Sequence, residues 1–183
     1  MSFDLIIKAA LLGLMEGATE FLPISSTGHL ILAGEFLNFT GEKAKTFEIF
    51  IQLGAIVAVV WLYRKNFFVW SAATPKIGLN VLIAFIPAAI AGFFFHDFIK
   101  LFLFRVEVVA AALIIGGILI FVIESLVGKF STDSVEKISW KKSLHVGFAQ
   151  ILALIPGISR SGATILGGMM TGMNRVTATE FSF

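Results

Sequence analysis

The chain has 183 residues, of which 57% are apolar, 20 are phenylalanine and only 14% are charged, well below the roughly 25% charged residues of a soluble domain. That composition places it in a bilayer. The net charge of +2 is too small and too scattered to suggest nucleic acid, and the absence of cysteine excludes disulfides and thiol chemistry.

The start does not read as a cleavable signal peptide, because Asp4 stands where a basic region belongs and no small-residue cleavage site precedes Glu16. Leu5 to Met15 is an apolar arm of about 16 Å at 1.5 Å per helical residue, and Leu30 to Leu37 is a second short arm. Each is long enough for about half a membrane. Between them lies EGATEFLPISSTGH, from Glu16 to His29. Pro23 cannot continue a helix and pushes Leu22 toward an extended conformation. Non-helical backbone at membrane depth is tolerated only where protein or a watery cavity covers it, so residues 3–38 are predicted to form a re-entrant helix-loop-helix hairpin facing the protein interior.

Three spanning helices are predicted next, at 47–63, 77–95 and 106–123. Pro87 is expected to kink the second. Glu48 and Gln52, four apart near the outer end of the first, either line a cavity or bind a neighbouring helix, and the second role is preferred. Gly116-Gly117 and Gly167-Gly168 are expected to permit close helix packing. Trp61, Trp70 and Trp140 suit interfacial positions. His96 and His145 are expected at structural interfaces, and Gly128 to Lys142 reads as a cytoplasmic loop. A second hairpin, 143–174, follows, and no domain boundary divides residues 1–183.

The second hairpin is an echo of the first. GLMEGATEFLPISSTGHLILAG from Gly13, shifted by 134 positions, falls on GFAQILALIPGISRSGATILGG from Gly147. Gly13, Ile24, Ser25, Gly28 and Ile31-Leu32 meet identical residues at 147, 158, 159, 162 and 165–166, Thr27 meets Ser161, and Glu16 meets Gln150. Such symmetry marks membrane folds built from repeats. With three spans between them, the hairpins enter from opposite faces as inverted repeats, their tips meeting near the midplane. Arg64, Lys65 and Lys76, and then Lys129, Lys137, Lys141 and Lys142, mark the cytoplasmic side. The opposite loops carry Lys43, Lys45, Lys100 and Arg105, partly offset by Glu42 and Asp97. This orientation puts the first hairpin on the outer face. Phe47 corresponds to Phe181, so a complete second repeat would need a further span after Phe183.

Ionisable groups at membrane depth are costly and mark working sites. Glu16 and Glu20 share a helix face, where like charges repel unless a cation, a proton or a basic partner intervenes; the plain alternative is bonding to nearby backbone. Ser25, Ser26, Thr27 and Gly28 open an apolar helix, so one serine caps it and unpaired N–H groups form an anion-attracting end. Ser26 and Thr27 can then face a bound group, and His29 is close enough to Ser26 for a hydroxyl–imidazole bond. In PGISRSGAT, Arg160 needs an anion: either Glu16 or Glu20 across the tips, or a phosphate clamped with Ser159, Ser161 and the helix end after Gly162. Together these residues point to a phosphorylated substrate with an apolar body.

EGATEFLPISSTGH followed by PGISRSGAT resembles the two signature motifs of the undecaprenyl-diphosphate phosphatase, or bacitracin-resistance, family, and the similarity runs through FEIFIQLGAI at Phe47. Members of that family continue for several more helices. The resemblance implies an all-α polytopic enzyme of the bacterial inner membrane that hydrolyses the C55 isoprenoid diphosphate to the monophosphate and phosphate, with its site open to the outer face. It implies roles for Glu16, Glu20, Ser26, His29, Arg160, Ser159 and Ser161. Ser25, Thr27, Gly28, Gly162 and Thr164 complete the expected substrate-binding set. The preferred mechanism is attack by Ser26 with His29 and Glu20 managing its proton; a histidine nucleophile or water activated by His29 also fits. A divalent ion, Mg²⁺ or Ca²⁺, is expected to bridge Glu16, Glu20 and the diphosphate. The expected partners are the lipid substrate, the bilayer and a second copy of the chain. The rival reading is a transporter or flippase of a lipid phosphate or another anion, which needs Arg160 and the helix ends but no Ser26–His29 pair.

Overall fold

Two short helices, broken where Pro23 and a serine cap dictate, open the chain. The computed structural model describes residues 3–73, 75–126, 128 and 130–183; Lys129 and the side chains of Glu42, Lys43, Lys65 and Trp70 lie outside the described residues. Helix α1 spans Phe3–Thr19 and α2 spans Ser26–Phe36, and three long elements follow: α3 (Glu42–Ala73), α4 (Pro75–Phe98) extended by a π-helical turn (Ile99–Leu103), and α5 (Val106–Leu126). The second half holds α6 (Trp140–Ile151), α7 (Arg160–Met170) and α8 (Arg175–Ser182). No strand occurs among the described residues. An isolated bridge joins Thr132 to Met173.

The stretches Ala44–Arg64, Pro75–Leu103 and Val106–Leu126 are long and apolar enough to cross a membrane, and they contain the three predicted spans. Most of their large side chains, such as Phe50, Phe93 and Phe121, are exposed, as expected where lipid tails are the solvent. Nothing between Tyr63 and Thr74 breaks a helix, so α3 runs on to Ala73, and Arg64 and Lys65 lie on it rather than in a loop. Pro75 opens α4, where its missing N–H is harmless. Pro87 lies inside α4 and packs against Gly147 of α6. A Cβ on Gly147 would stand 2.6 Å from the Ala84 carbonyl and 2.9 Å from the Pro87 ring, so only hydrogen lets these helices meet.

The predicted loop 128–142 is an ordered cap. Val135 and Ile138 are buried with Ile77, Val146, Met169, Met173 and Ala178. Buried Asn80 donates to the Ile138 carbonyl at 2.9 Å, Lys76 to the Glu136 carbonyl at 2.8 Å, and Lys142 to Thr132 Oγ1 at 2.7 Å. A hydrogen bond from Lys137, with another from its own backbone N–H, holds the Asp133 carboxyl below its ordinary range. Ser139 caps α6, so Trp140 to Lys142 are helical. Its Val135 and Ile138 join a core, while Phe130 and Trp140 stay exposed.

The sequence echo is also a structural echo. Helices α2 and α7 have the same length and begin 134 residues apart. Ser25 accepts from Gly28 N at 3.3 Å and Ser159 from Gly162 N at 3.1 Å. After the helices, Asn38 and Gly172 both take positive φ, 51° and 87°, and Phe39 N and Met173 N both return to the carbonyls of Gly34 and Gly168, at 2.8 and 3.2 Å. These are matching C-terminal caps, with asparagine serving where the second copy has glycine.

Candidate active site

The hairpin tips meet through reciprocal contacts. Gly28 faces Gly157, where an added Cβ would stand 3.0 Å from the Gly157 Cα, and Gly162 faces the Pro23 carbonyl at 3.2 Å. Pro23 and Gly157 are echo positions, as are Gly28 and Gly162, so each helix start packs on the other hairpin's turn. Gly157 is also closed in by α5: its φ is 103°, and a Cβ there would lie 2.6 Å from the Val109 carbonyl. This packing puts the two positive helix ends side by side.

Glu20 sits at the seam. The ladder of α1 continues one step past Thr19, with Glu20 N bonded to the Glu16 carbonyl at 2.9 Å, so the two residues lie one turn apart on the same side of the helix. The Ser26 hydroxyl donates to Glu20 Oε2, and Arg160 Nη2 lies 3.6 Å from Glu20 Oε1. Ser26 and Arg160 are the first residues of α2 and α7 and are themselves echo positions. One repeat therefore offers a hydroxyl and the other a guanidinium to the same carboxylate. Arg160 also donates to the Ser182 carbonyl at 2.8 Å.

The expected Ser26–His29 bond does not form among the described residues. His29 Nδ1 is 2.8 Å from the Ser25 carbonyl; since a carbonyl only accepts, Nδ1 carries the proton. The same carbonyl accepts His29 N at 3.2 Å. Ser25 holds an unusual backbone for a non-glycine, φ 65° and ψ 89°, and the imidazole helps to fix it. The physical reason is spacing: four residues back along a helix start lies a carbonyl, while Ser26 turns to Glu20.

The remaining predicted residues divide by task. Ser159 caps α7 and lies 3.0 Å from the Ser161 hydroxyl, which reaches the Leu22 carbonyl at 3.5 Å. Thr164 bonds the carbonyls of Arg160 and Ser161, at 2.9 and 3.2 Å, so it braces the first turn of α7 rather than facing the seam. Glu16 is 1% exposed, and neither carboxylate oxygen has a hydrogen-bond partner among the described residues. No group of three or more acidic or imidazole side chains fit to hold a metal occurs among the described residues.

Two cavities flank the seam. A polar one of about 350 Å³ is lined by Glu20, Ser26, Thr27, Arg160 and Ser161, together with Gln52. An apolar one of about 430 Å³ lies between α5 and α7, with His29, Leu113, Gly116, Gly117 and Leu166 in its wall. Both use Gly157, Ile158 and Ser159. Gln52 therefore faces the polar cavity instead of only binding a neighbouring helix, whereas Glu48 lies beside Gly34 of α2, 3.8 Å from where its Cβ would stand. Gly116 and Gly117 have nothing within 4 Å of an added Cβ and open a cavity wall rather than allow close packing; Gly167, 2.5 Å from the Ala149 Cβ, does pack closely. His96 and His145 are exposed and line neither cavity. Gln52 was the residue that sequence reasoning undervalued, although its position in an apolar helix was a signal.

Residues 9–183 match the family described as bacitracin resistance protein BacA. The chain belongs to that family. It is 52% identical over 188 residues to an undecaprenyl-diphosphatase of Nitrosomonas europaea, covering 100% of this chain and 69% of the relative. An undecaprenyl-diphosphatase of Acinetobacter baumannii is 53% identical over 185 residues, covering 97% and 68%, and undecaprenyl-diphosphatase 3 of Acinetobacter baylyi is 54% identical over 183 residues, covering 96% and 69%. This BacA-family chain thus spans a little over two thirds of these relatives, and the span includes both hairpins.

Proposed function

We propose that this chain hydrolyses undecaprenyl diphosphate to undecaprenyl phosphate and inorganic phosphate, returning the lipid carrier to cell-wall synthesis and so opposing bacitracin. The observation that carries this reading is the Ser26–Glu20–Arg160 chain across the two hairpins, in a polar cavity that shares a wall with an apolar one. A diphosphate head fits the first and the start of an isoprenoid chain fits the second. The hydrolase names of the relatives favour this over transport.

Glu20 takes the Ser26 proton as Oγ attacks the terminal phosphorus; the bond to the bridging oxygen breaks and undecaprenyl phosphate leaves. Water then cleaves the phosphoserine, and Glu20 returns the proton to Ser26. A positioned base of this kind contributes about 10²- to 10⁴-fold. Arg160 exchanges its contact with Glu20 for the phosphoryl oxygens, joined by N–H groups at the starts of α2 and α7. His29 holds the Ser25 backbone and so positions Ser26.

Glu16 and Glu20 are the residues for a divalent cation. The two unpartnered oxygens of Glu16 suit a hard ion, and a pair of carboxylates completed by substrate phosphates is the usual manner of Mg²⁺ binding. Mg²⁺ or Ca²⁺ bound there would neutralise the diphosphate. Arg64 at the end of an apolar span, with Lys76, Lys137, Lys141 and Lys142 near other span and helix ends, supports a cytoplasmic assignment for that side and entry of the first hairpin from the opposite, outer face.

The test is phosphate release from undecaprenyl diphosphate by the purified chain in detergent, with and without a chelator. Release that stops with chelator and returns with Mg²⁺ or Ca²⁺ is expected. Binding of the lipid without release would overturn the hydrolase reading.

A further inference from the structure

The proposed mechanism uses groups from α1, α2 and α7, yet the polar cavity has a fourth wall. Gln52, on α3, lines it with Ile56 and Phe104. From Ile49 to Leu62 the helix is otherwise apolar except for the indole of Trp61. A carboxamide in such a helix is costly unless its hydrogen-bonding groups are used. Gln52 is half-buried, and no hydrogen bond of its side chain occurs among those of the described residues. Its neighbours in the cavity, Glu20, Ser26 and Arg160, are already bonded to one another.

We propose that Gln52 is a substrate-binding residue, whose carboxamide N–H groups hold oxygens of the terminal phosphoryl group. This inference rests on the hydrolase reading. The division of the cavities selects the phosphate: Gln52 lines the polar cavity and not the apolar one, so it lies with Ser26 and Arg160 at the head end of the substrate. A neutral donor also suits the place. It bonds an anionic oxygen without pairing with Glu20 as a second cation would, and without repelling the diphosphate as a carboxylate would. Its acceptor oxygen remains free for the water that cleaves the phosphoserine.

The experiment measures phosphate release by the whole chain in detergent for wild type, Gln52→Leu, Gln52→Glu and Gln52→Asn, with inhibition by inorganic phosphate and thermal unfolding recorded on each. Gln52→Leu is expected to lower kcat/KM about tenfold, the loss of one hydrogen bond to a charged group, and to weaken phosphate inhibition by a similar factor. Gln52→Glu is expected to lose more, because it adds repulsion at almost unchanged volume, and Gln52→Asn to recover part of the activity. Unfolding midpoints should stay close to that of wild type. If Gln52→Leu and Gln52→Glu both keep kcat/KM and phosphate inhibition within twofold of wild type, the role is overturned. If the losses follow the unfolding midpoints and phosphate inhibition does not move, Gln52 is structural and the role is again overturned. A wild-type chain that releases no phosphate overturns the hydrolase reading itself, and this role with it.

Discussion

Arg160 meets Glu20 across the seam between the hairpins, Nη2 to Oε1 at 3.6 Å, while the other oxygen of that carboxylate accepts the Ser26 hydroxyl. The pair opens onto the polar cavity, with side-chain exposures of 48% and 25%. Contacts of this length and exposure contribute about 0–1 kcal/mol to stability. Arg160 can therefore leave Glu20 for a phosphate at little cost.

Activity and stability should therefore separate at this pair. Glu20→Gln is expected to lower kcat by roughly 10²- to 10⁴-fold through loss of the base. Arg160→Lys keeps the charge but loses the fork, and should lower kcat/KM about 10- to 100-fold. Both should unfold near the wild-type midpoint. Phosphate release and thermal unfolding in detergent check this, and a large drop in midpoint for either variant would show the pair to be structural.

Ser26 and His29 should not behave alike. Ser26→Ala removes the attacking oxygen and should lower kcat by roughly 10³-fold or more. His29→Ala removes one hydrogen bond to the Ser25 carbonyl, worth about 1 kcal/mol, and should cost about tenfold through misplacement of Ser26. Rapid quenching with substrate labelled in the terminal phosphate should capture label on Ser26 in wild type. Equal losses in the two variants, with no captured label, would return the chemistry to the imidazole.

Two glycines in neighbouring walls offer the opposite contrast. Gly157→Ala places a Cβ against the Val109 carbonyl at positive φ and is expected to destabilise by roughly 1–3 kcal/mol from overpacking alone. Gly116→Ala meets nothing within 4 Å and gains up to about 1 kcal/mol of helix propensity, yet it narrows the apolar cavity. It should leave the unfolding midpoint unchanged or higher and raise KM for the full-length isoprenoid. Unfolding curves with KM for long- and short-chain diphosphates separate the two effects.

Composition and hydropathy alone determined the bilayer setting and the three long helices, because about twenty apolar residues in sequence have few alternatives in lipid. Local chemistry determined the hairpin breaks and the serine caps, since Pro23 and a serine before a helix act within one turn of themselves. The repeat was legible as well, because residues such as Ser25 and Ser159 perform the same local task. What only the tertiary structure decided was partnership. Glu20 lies closer to His29 in sequence than to Arg160, yet it is Arg160 it meets, since the glycines at 28, 157 and 162 let the hairpins cross there. Ser26 turned to that carboxylate rather than to the imidazole, and Gln52 turned to the cavity, because side-chain direction depends on which helix stands opposite. Spacing along a chain reports neighbours one or two turns away, and the atoms that complete this site come from elements more than a hundred residues apart.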